Sequence, residues 1–227
     1  MSSIFEKALG PEFQRLHPML QRRFGVDVDA GYACIGRGRF SQVRRGAWWT
    51  VPFLRLGAFR NLLFPDQGDD IPFIIENYPY IDSFGRKTVS FVRTLEVRPG
   101  KFRRFDATMI YGERTGKVID YLGTHQHLAT DLDLEVLADG SLHLTSDAQR
   151  FYEGRAGFTF PPAFTGKADL YENYDSEREV FTIRLEVRNP RYGFLFGYRG
   201  EFNCEFPKLT AAGVPASVKP LREEVRE

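Results

Sequence analysis

Gly193 to Phe206 reads GFLFGYRGEFNCEF. Its even positions are Phe194, Phe196, Tyr198, Gly200, Phe202, Cys204 and Phe206, with Arg199, Glu201, Asn203 and Glu205 between them. Successive side chains of an extended chain point to opposite faces, so aromatics on one parity and charges on the other define a half-buried β-strand. Fully straight, the segment would run about 43 Å at ~3.3 Å per residue, too long for one flat strand of a compact barrel. Gly197 and Gly200 are where it is expected to bend. The reading predicts a coiled closing strand, with Tyr198 facing inward and Arg199 outward.

Working back from this strand, the same period recurs. Phe181, Ile183, Leu185 and Val187 alternate, and Asp175-Ser176-Glu177 joins them to a strand over Lys167–Tyr174. Between Leu132 and Leu144, the pattern LDLEVLADGSLHL predicts a hairpin. The apolar positions agree in parity only if Ala138-Asp139-Gly140 forms a three-residue loop, glycine taking the left-handed position. Val89, Phe91, Leu95 and Val97 alternate as well. Pro99-Gly100 and Gly112 to Gly116 mark turns around strands at Phe102 to Tyr111 and Val118 to Leu122, and Gly154 to Thr165 reads as a connection. The expected fold is mainly β: a curved antiparallel up-and-down sheet or barrel of about eight to ten strands.

Three segments break the period. Phe5, Leu9, Phe13, Leu16 and Leu20 recur at helical spacing, so residues 3–24 read as a helical region split at Gly10-Pro11. Residues 48–64, WWTVPFLRLGAFRNLLF, are apolar almost all round, with Phe53, Leu56, Phe59 and Leu63 on one helical face. They read as a lid-like segment. The stretch 207–227 is rich in Ala, Pro and charge and is expected to be loosely held. Residues 1–206 therefore form a single β-rich domain.

The composition is that of an ordinary globular chain: 42% hydrophobic, 27% charged and formally +1. Near-neutrality argues against nucleic acid as a partner. The charge is uneven, because residues 1–60 hold ten Lys or Arg against four Asp or Glu. That basic excess is either a solvated face or an attraction to an anionic surface such as membrane phosphates. There is no visible signal sequence and no apolar run of the ~18–20 residues that span a bilayer. Cys34 and Cys204 alone make no disulfide framework. A cytoplasmic protein, peripheral to a membrane at most, is expected. Nothing in the sequence sets an oligomeric state.

The chain resembles a bacterial family known as domain-of-unknown-function family 4166, over roughly Phe5 to Phe206. The resemblance runs through Leu9–Leu20 (LGPEFQRLHPML), Gly36-Arg37-Gly38, Leu63-Phe64-Pro65 and Phe91-Val92-Arg93-Thr94. It continues through Asp120-Tyr121-Leu122-Gly123, Asp139-Gly140-Ser141-Leu142 and Tyr198-Arg199-Gly200. Two positions depart from the family pattern: Asp120 stands where Glu is expected and Phe91 where Trp is expected. The resemblance carries no activity to transfer. Relatives fused to membrane or oxidoreductase segments imply an accessory role, by association alone.

Few residues suggest chemistry. His125 and His127 share a strand face, with Glu153 expected opposite His125, but Asp131, Asp133 and Glu135 lie on that face too. A solvated outer face accounts for the set, so no metal site is assigned. The glycines of residues 31–38 lack the Lys-Ser/Thr of a phosphate loop, and no residue pattern implies a cofactor or a catalytic set. Arg93 stands out, because it shares the parity of Val89, Phe91, Leu95 and Val97. A buried arginine needs an anionic or carbonyl partner, and Asp120, Glu172 and the Tyr198 hydroxyl are the candidates. One reading is an ion pair that sets register. The other is a polar anchor in an apolar cavity lined by Phe91, Phe194, Phe196, Tyr198 and Phe202, gripping a fatty acid or similar amphiphile.

The segment 48–64 also has two readings. It plugs one end of the barrel, or it meets a membrane through Trp48 and Trp49 with Arg44, Arg45, Arg55 and Arg60 around them. The leading expectation is a non-enzymatic binding module for an apolar or amphipathic small molecule. The alternatives are an enzyme with an Arg/carboxylate site in the β cavity, and a scaffold docking a membrane or partner.

Overall fold

The computed structural model describes residues 2–161, 165–210 and 213–227. Among the described residues, eleven strands follow the N-terminal helices: β1 (Cys34–Arg45), β2 (Gly68–Ile81), β3 (Lys87–Arg98), β4 (Lys101–Tyr111), β5 (Val118–Leu122), β6 (Leu128–Val136), β7 (Leu142–Glu153), β8 (Ala156–Thr159), β9 (Lys167–Asp175), β10 (Val180–Asn189) and β11 (Gly193–Glu205). Every pairing is antiparallel, and neighbours run β6-β5-β4-β3-β2-β1-β11-β10-β9-β7, with β6 also pairing β7. The ladder thus closes into a ten-stranded barrel. Closure leaves no sheet edge within the ring. β8 lies outside it, an exposed hairpin arm on β7 within the stretch expected to be a plain connection. The rest of that stretch at 162–164 lies outside the described residues, as do 211–212 of the tail.

The expected hairpin has the expected register: Leu134 faces Leu144 and Val136 faces Leu142. A bulge between Thr130 and Leu132 then shifts the ladder by one, so Leu128 faces Phe151. Two further bulges shape the closing strand. β1 carries an extra residue at Ser41, where Phe40 faces Gly200. β11 carries an extra residue at Leu195, between Phe196 opposite Val187 and Phe194 opposite Arg188. A β-bulge increases local twist, which is how the long strand fits the barrel wall. Gly200 is required at the first of these: a Cβ there would stand 2.3 Å from the Arg39 carbonyl oxygen and 2.6 Å from Phe40 Cα.

Each end of the barrel is closed differently. At one end sit α1 (Ile4–Leu9), a 3-10 segment (Gly10–Arg15) and α2 (Pro18–Phe24). The Ser3 side chain caps α1 by accepting from the Glu6 N–H, and Gly10 at φ +55° ends it. Phe5, Phe13, Leu16, Leu20 and Phe24 are buried in the main core, and Phe5 packs edge-on against Phe24 and Phe91. At the other end lie a 3-10 turn (Trp48–Thr50) and α3 (Val51–Ala58). No helix among the described residues is long and apolar enough to cross a membrane.

The tail does not hang free over residues 213–227. Val218 and Glu224 are buried, the Leu221 N–H donates to the Thr124 carbonyl, and the Tyr121 hydroxyl donates to the Arg226 carbonyl at 2.7 Å. It covers a small second core of Ile110, Ile119, Tyr121, Ala129 and Tyr152 on the outer barrel face. Its Pro, Ala and charge content conceals this, because the docking uses backbone groups, the Glu223 and Glu224 carboxylates and the Arg222 and Arg226 guanidinium groups. The Glu224 carboxylate, held by Arg222 and by Arg226 at 2.7 Å, is drawn down to about 2 despite partial burial.

Candidate functional site

The barrel encloses a cavity of about 300 Å³ between the N-terminal plug and α3. Phe5 and Phe24 wall it on the plug side, and Phe53, Leu54, Gly57, Leu62 and Leu63 on the α3 side. Between them, residues of eight strands contribute an apolar lining, including Phe91, Phe105, Leu132, Leu144, Leu170 and Leu185. Strand alternation alone produces this wall, since each inward position is apolar with few exceptions.

The exceptions carry the chemistry. Arg93 on β3, Asp120 on β5 and Glu172 on β9 all reach the cavity, and all three are buried. Glu172 does not pair with Arg93. Its carboxylate is held by Arg23 of α2, whose Nε donates to one oxygen while Nη2 lies 3.4 Å from the other. Arg23 Nη1 donates to Asn77 Oδ1 at 2.7 Å and contacts Cys34 Sγ at 3.4 Å and Cys204 Sγ at 3.9 Å. Arg23 is absent from the residues that the sequence singles out. The available signal was its place three residues after Leu20, on the apolar face.

Arg93 is left without an anion. Among the described residues its guanidinium makes no ion pair or hydrogen bond, and its buried Nε has no partner. It lies 5.0 Å over the Phe105 ring and 5.9 Å from that of Phe91. Asp120 is likewise orphaned at Oδ1. Burial pushes its carboxyl up to about 7, and the nearby charge of Arg93 only partly offsets this. The Tyr198 hydroxyl is buried, unpartnered and raised above its usual range by desolvation. The remaining polar lining is satisfied: Thr130, Ser146 and Gln149 bond to backbone groups.

The aromatics of β11 are only partly where they were expected. Tyr198 faces inward, against Phe40 at 4.3 Å. Phe196 packs on Phe64 and Phe202 stacks on Phe181, so both are solid core outside the cavity lining. Phe194 lies on the outer side under Arg188, 5.7 Å from its guanidinium. The bulge at Leu195 is the reason: one extra residue reverses parity, and Leu195 takes the cavity wall instead. Phe91 is part of the cavity wall, and Tyr198 is not.

Cys34 and Cys204 are free thiols in contact beside Arg23. The hydrogen bond from Cys204 and the Arg23 charge bring the Cys34 thiol down to about 7 against burial, while the same bond raises Cys204. His125 and His127 lie in the connection between β5 and β6 rather than on a strand face; their rings stack at 5.5 Å, and Glu153 meets His127 Nδ1 at 3.0 Å rather than facing His125.

In the segment 48–64, Trp48, Phe53, Leu56 and Phe59 are turned to solvent, whereas Leu54 and Phe64 are buried. The face shared by Phe53, Leu56 and Phe59 is therefore the outer one. Trp49 packs at a tilt against Tyr192, ring centroids 5.3 Å apart. Arg44 pairs with Asp69 at 2.6 Å and Arg45 donates to the Gly46 carbonyl. Arg55 and Arg60 are exposed.

These features define a class: a closed antiparallel β-barrel with an interior cavity compatible with a small molecule. The chain belongs to the family described as Domain of unknown function (DUF4166), whose model matches residues 16–202. It is also similar to the "Uncharacterized protein YndH" of Bacillus subtilis (strain 168), with 34% identity over 205 residues, covering 90% of this chain and 98% of that one.

Proposed function

We propose that the protein is a binding module for a small amphipathic acid, such as a medium-chain fatty acid, held inside the barrel. The observation that carries this reading is Arg93: a buried guanidinium with no anion, facing an apolar cavity. An uncompensated buried charge costs several kcal/mol, and a ligand carboxylate or phosphate supplies the missing partner. Below about pH 7, protonated Asp120 adds an O–H donor to the same headgroup. A 300 Å³ space holds about ten waters at ~30 Å³ each, hence a ligand of roughly ten non-hydrogen atoms. Octanoate and decanoate meet that size.

Native mass spectrometry of the purified protein, set against its solvent extract, tests this directly. The expected result is a co-purified acid, or octanoate or decanoate binding that Arg93→Met abolishes. A ligand-free protein that takes up neither acid, or takes them up equally well as Arg93→Met, overturns the reading.

A second reading is favoured by one observation: a cavity carboxyl brought to about 7 beside an arginine suits general acid–base chemistry. In that case wild-type protein alters the extracted molecule on incubation and Asp120→Asn does not. An unchanged mass with both proteins removes it.

A further inference from the structure

Four of the five most exposed large apolar side chains among the described residues lie on α3 or just beside it. Trp48 is 80% exposed, Phe53 74%, Leu56 69% and Phe59 84%. Phe53, Leu56 and Phe59 recur at three-residue spacing along one helical stripe, and Trp48 precedes them in the 3-10 turn. Large apolar side chains gathered in this way mark a contact surface.

The charge of the segment selects the partner. From Gln42 to Phe64 the chain carries four arginines and no carboxylate. Surface arginines are commonly neutralised: Arg44 of this segment by Asp69, Arg39 by Asp70, Arg178 by Glu201, and Arg184 by Glu186. Arg55 and Arg60 flank the apolar stripe, and among the described residues neither guanidinium makes an ion pair or hydrogen bond. Trp and Phe on one stripe with unpaired arginine at its margins match the interface of an anionic bilayer, where rings enter the acyl boundary and guanidinium groups meet phosphates.

We propose that this face docks the protein onto an anionic lipid surface. The inner side of the same helix is cavity wall: Phe53 stands at the rim, and Leu54 and Gly57 line the interior. Docking therefore brings the lid against the membrane. The docking itself does not depend on what the cavity holds.

Vesicle flotation tests the proposal, using phosphatidylcholine vesicles with and without phosphatidylglycerol. Wild-type protein is expected to float with the anionic vesicles, less so at high salt and not with neutral ones. Phe53→Ser/Phe59→Ser and, separately, Arg55→Glu/Arg60→Glu are expected to lower the bound fraction roughly tenfold. Phe84→Ser, in the turn between β2 and β3, leaves it unchanged. All these side chains are exposed, and thermal midpoints close to wild type verify folding. Absence of binding to anionic vesicles overturns the proposal, as does binding that both double variants retain. Self-association in sedimentation that Phe53→Ser/Phe59→Ser abolishes, without vesicle binding, assigns the face to a second copy and also overturns it. Fatty-acid uptake is scored separately, so failure of either reading leaves the other readable.

Discussion

Arg23 and Glu172 meet inside the barrel although 149 residues separate them in the chain, with side chains only 1% and 3% exposed. The pairing joins the N-terminal plug to β9. It also occupies the carboxylate that the sequence offers to Arg93, so Arg93 faces the cavity without an anion. One ion pair thus anchors the plug and leaves the candidate binding residue available.

Removing one member of this pair should be far worse than removing both. Glu172→Gln leaves Arg23 buried without a counter-charge, and the expected loss is about 3–5 kcal/mol. Replacing both with apolar side chains, Arg23→Met with Glu172→Leu, should recover most of it. Urea denaturation at neutral pH measures each variant. Equal losses for the single and double variants would show that the pair is not what holds the plug.

Asp120 makes stability depend on pH in a predictable direction. Its carboxyl titrates near 7 when folded, against 3.8 for an unperturbed Asp. Between those values the folded chain binds a proton that the unfolded chain has lost. Stability from this group is therefore fully present below about pH 4, falls as pH rises to about 7, and is level above that. At ~1.4 kcal/mol per pH unit the effect is on the order of a few kcal/mol. Asp120→Asn should flatten the slope in that window, as read from denaturation midpoints between pH 4 and 8.

A cavity tolerates added volume where a packed core does not. Ala168 lines the cavity, whereas Ala107 is buried outside that lining in the same core. Ala107→Phe should cost at least the roughly 1–3 kcal/mol typical of overpacking. Ala168→Phe should cost clearly less and should also block octanoate uptake, which calorimetry can follow.

Gly200→Ala tests the closing strand. The added Cβ meets backbone of β1 at 2.3 Å, and backbone within a ladder gives way only by local distortion. A loss of about 1–3 kcal/mol is expected. Gly85→Ala provides a comparison in which the added atom meets nothing within 4 Å, so its cost reflects only φ +80°.

Truncation before Gly213 should uncover Ile119, Tyr121 and Tyr152, which the tail now screens. The expected signs are a lower thermal midpoint and new binding of an apolar fluorescent dye. A truncated protein as stable as the full chain would mean that the tail contacts contribute nothing.

Local regularity was legible in the sequence. Period-two alternation marked the strands, and parity across Ala138-Asp139-Gly140 set Leu134 against Leu144. Phe5, Leu16 and Leu20 marked the plug, and Arg93 announced itself as an inward charge. These follow from backbone geometry and burial, which act within a few residues. Only the tertiary structure decided three other matters. The bulge at Leu195 exchanged Leu195 for Phe194 on the cavity wall, because one extra residue inverts every side chain beyond it. The choice of Arg23 over Arg93 by Glu172 rests on distances across a closed barrel, which no local pattern encodes. The cavity itself exists because inward side chains from plug, strands and lid stop short of one another, and that depends on how the ring closes.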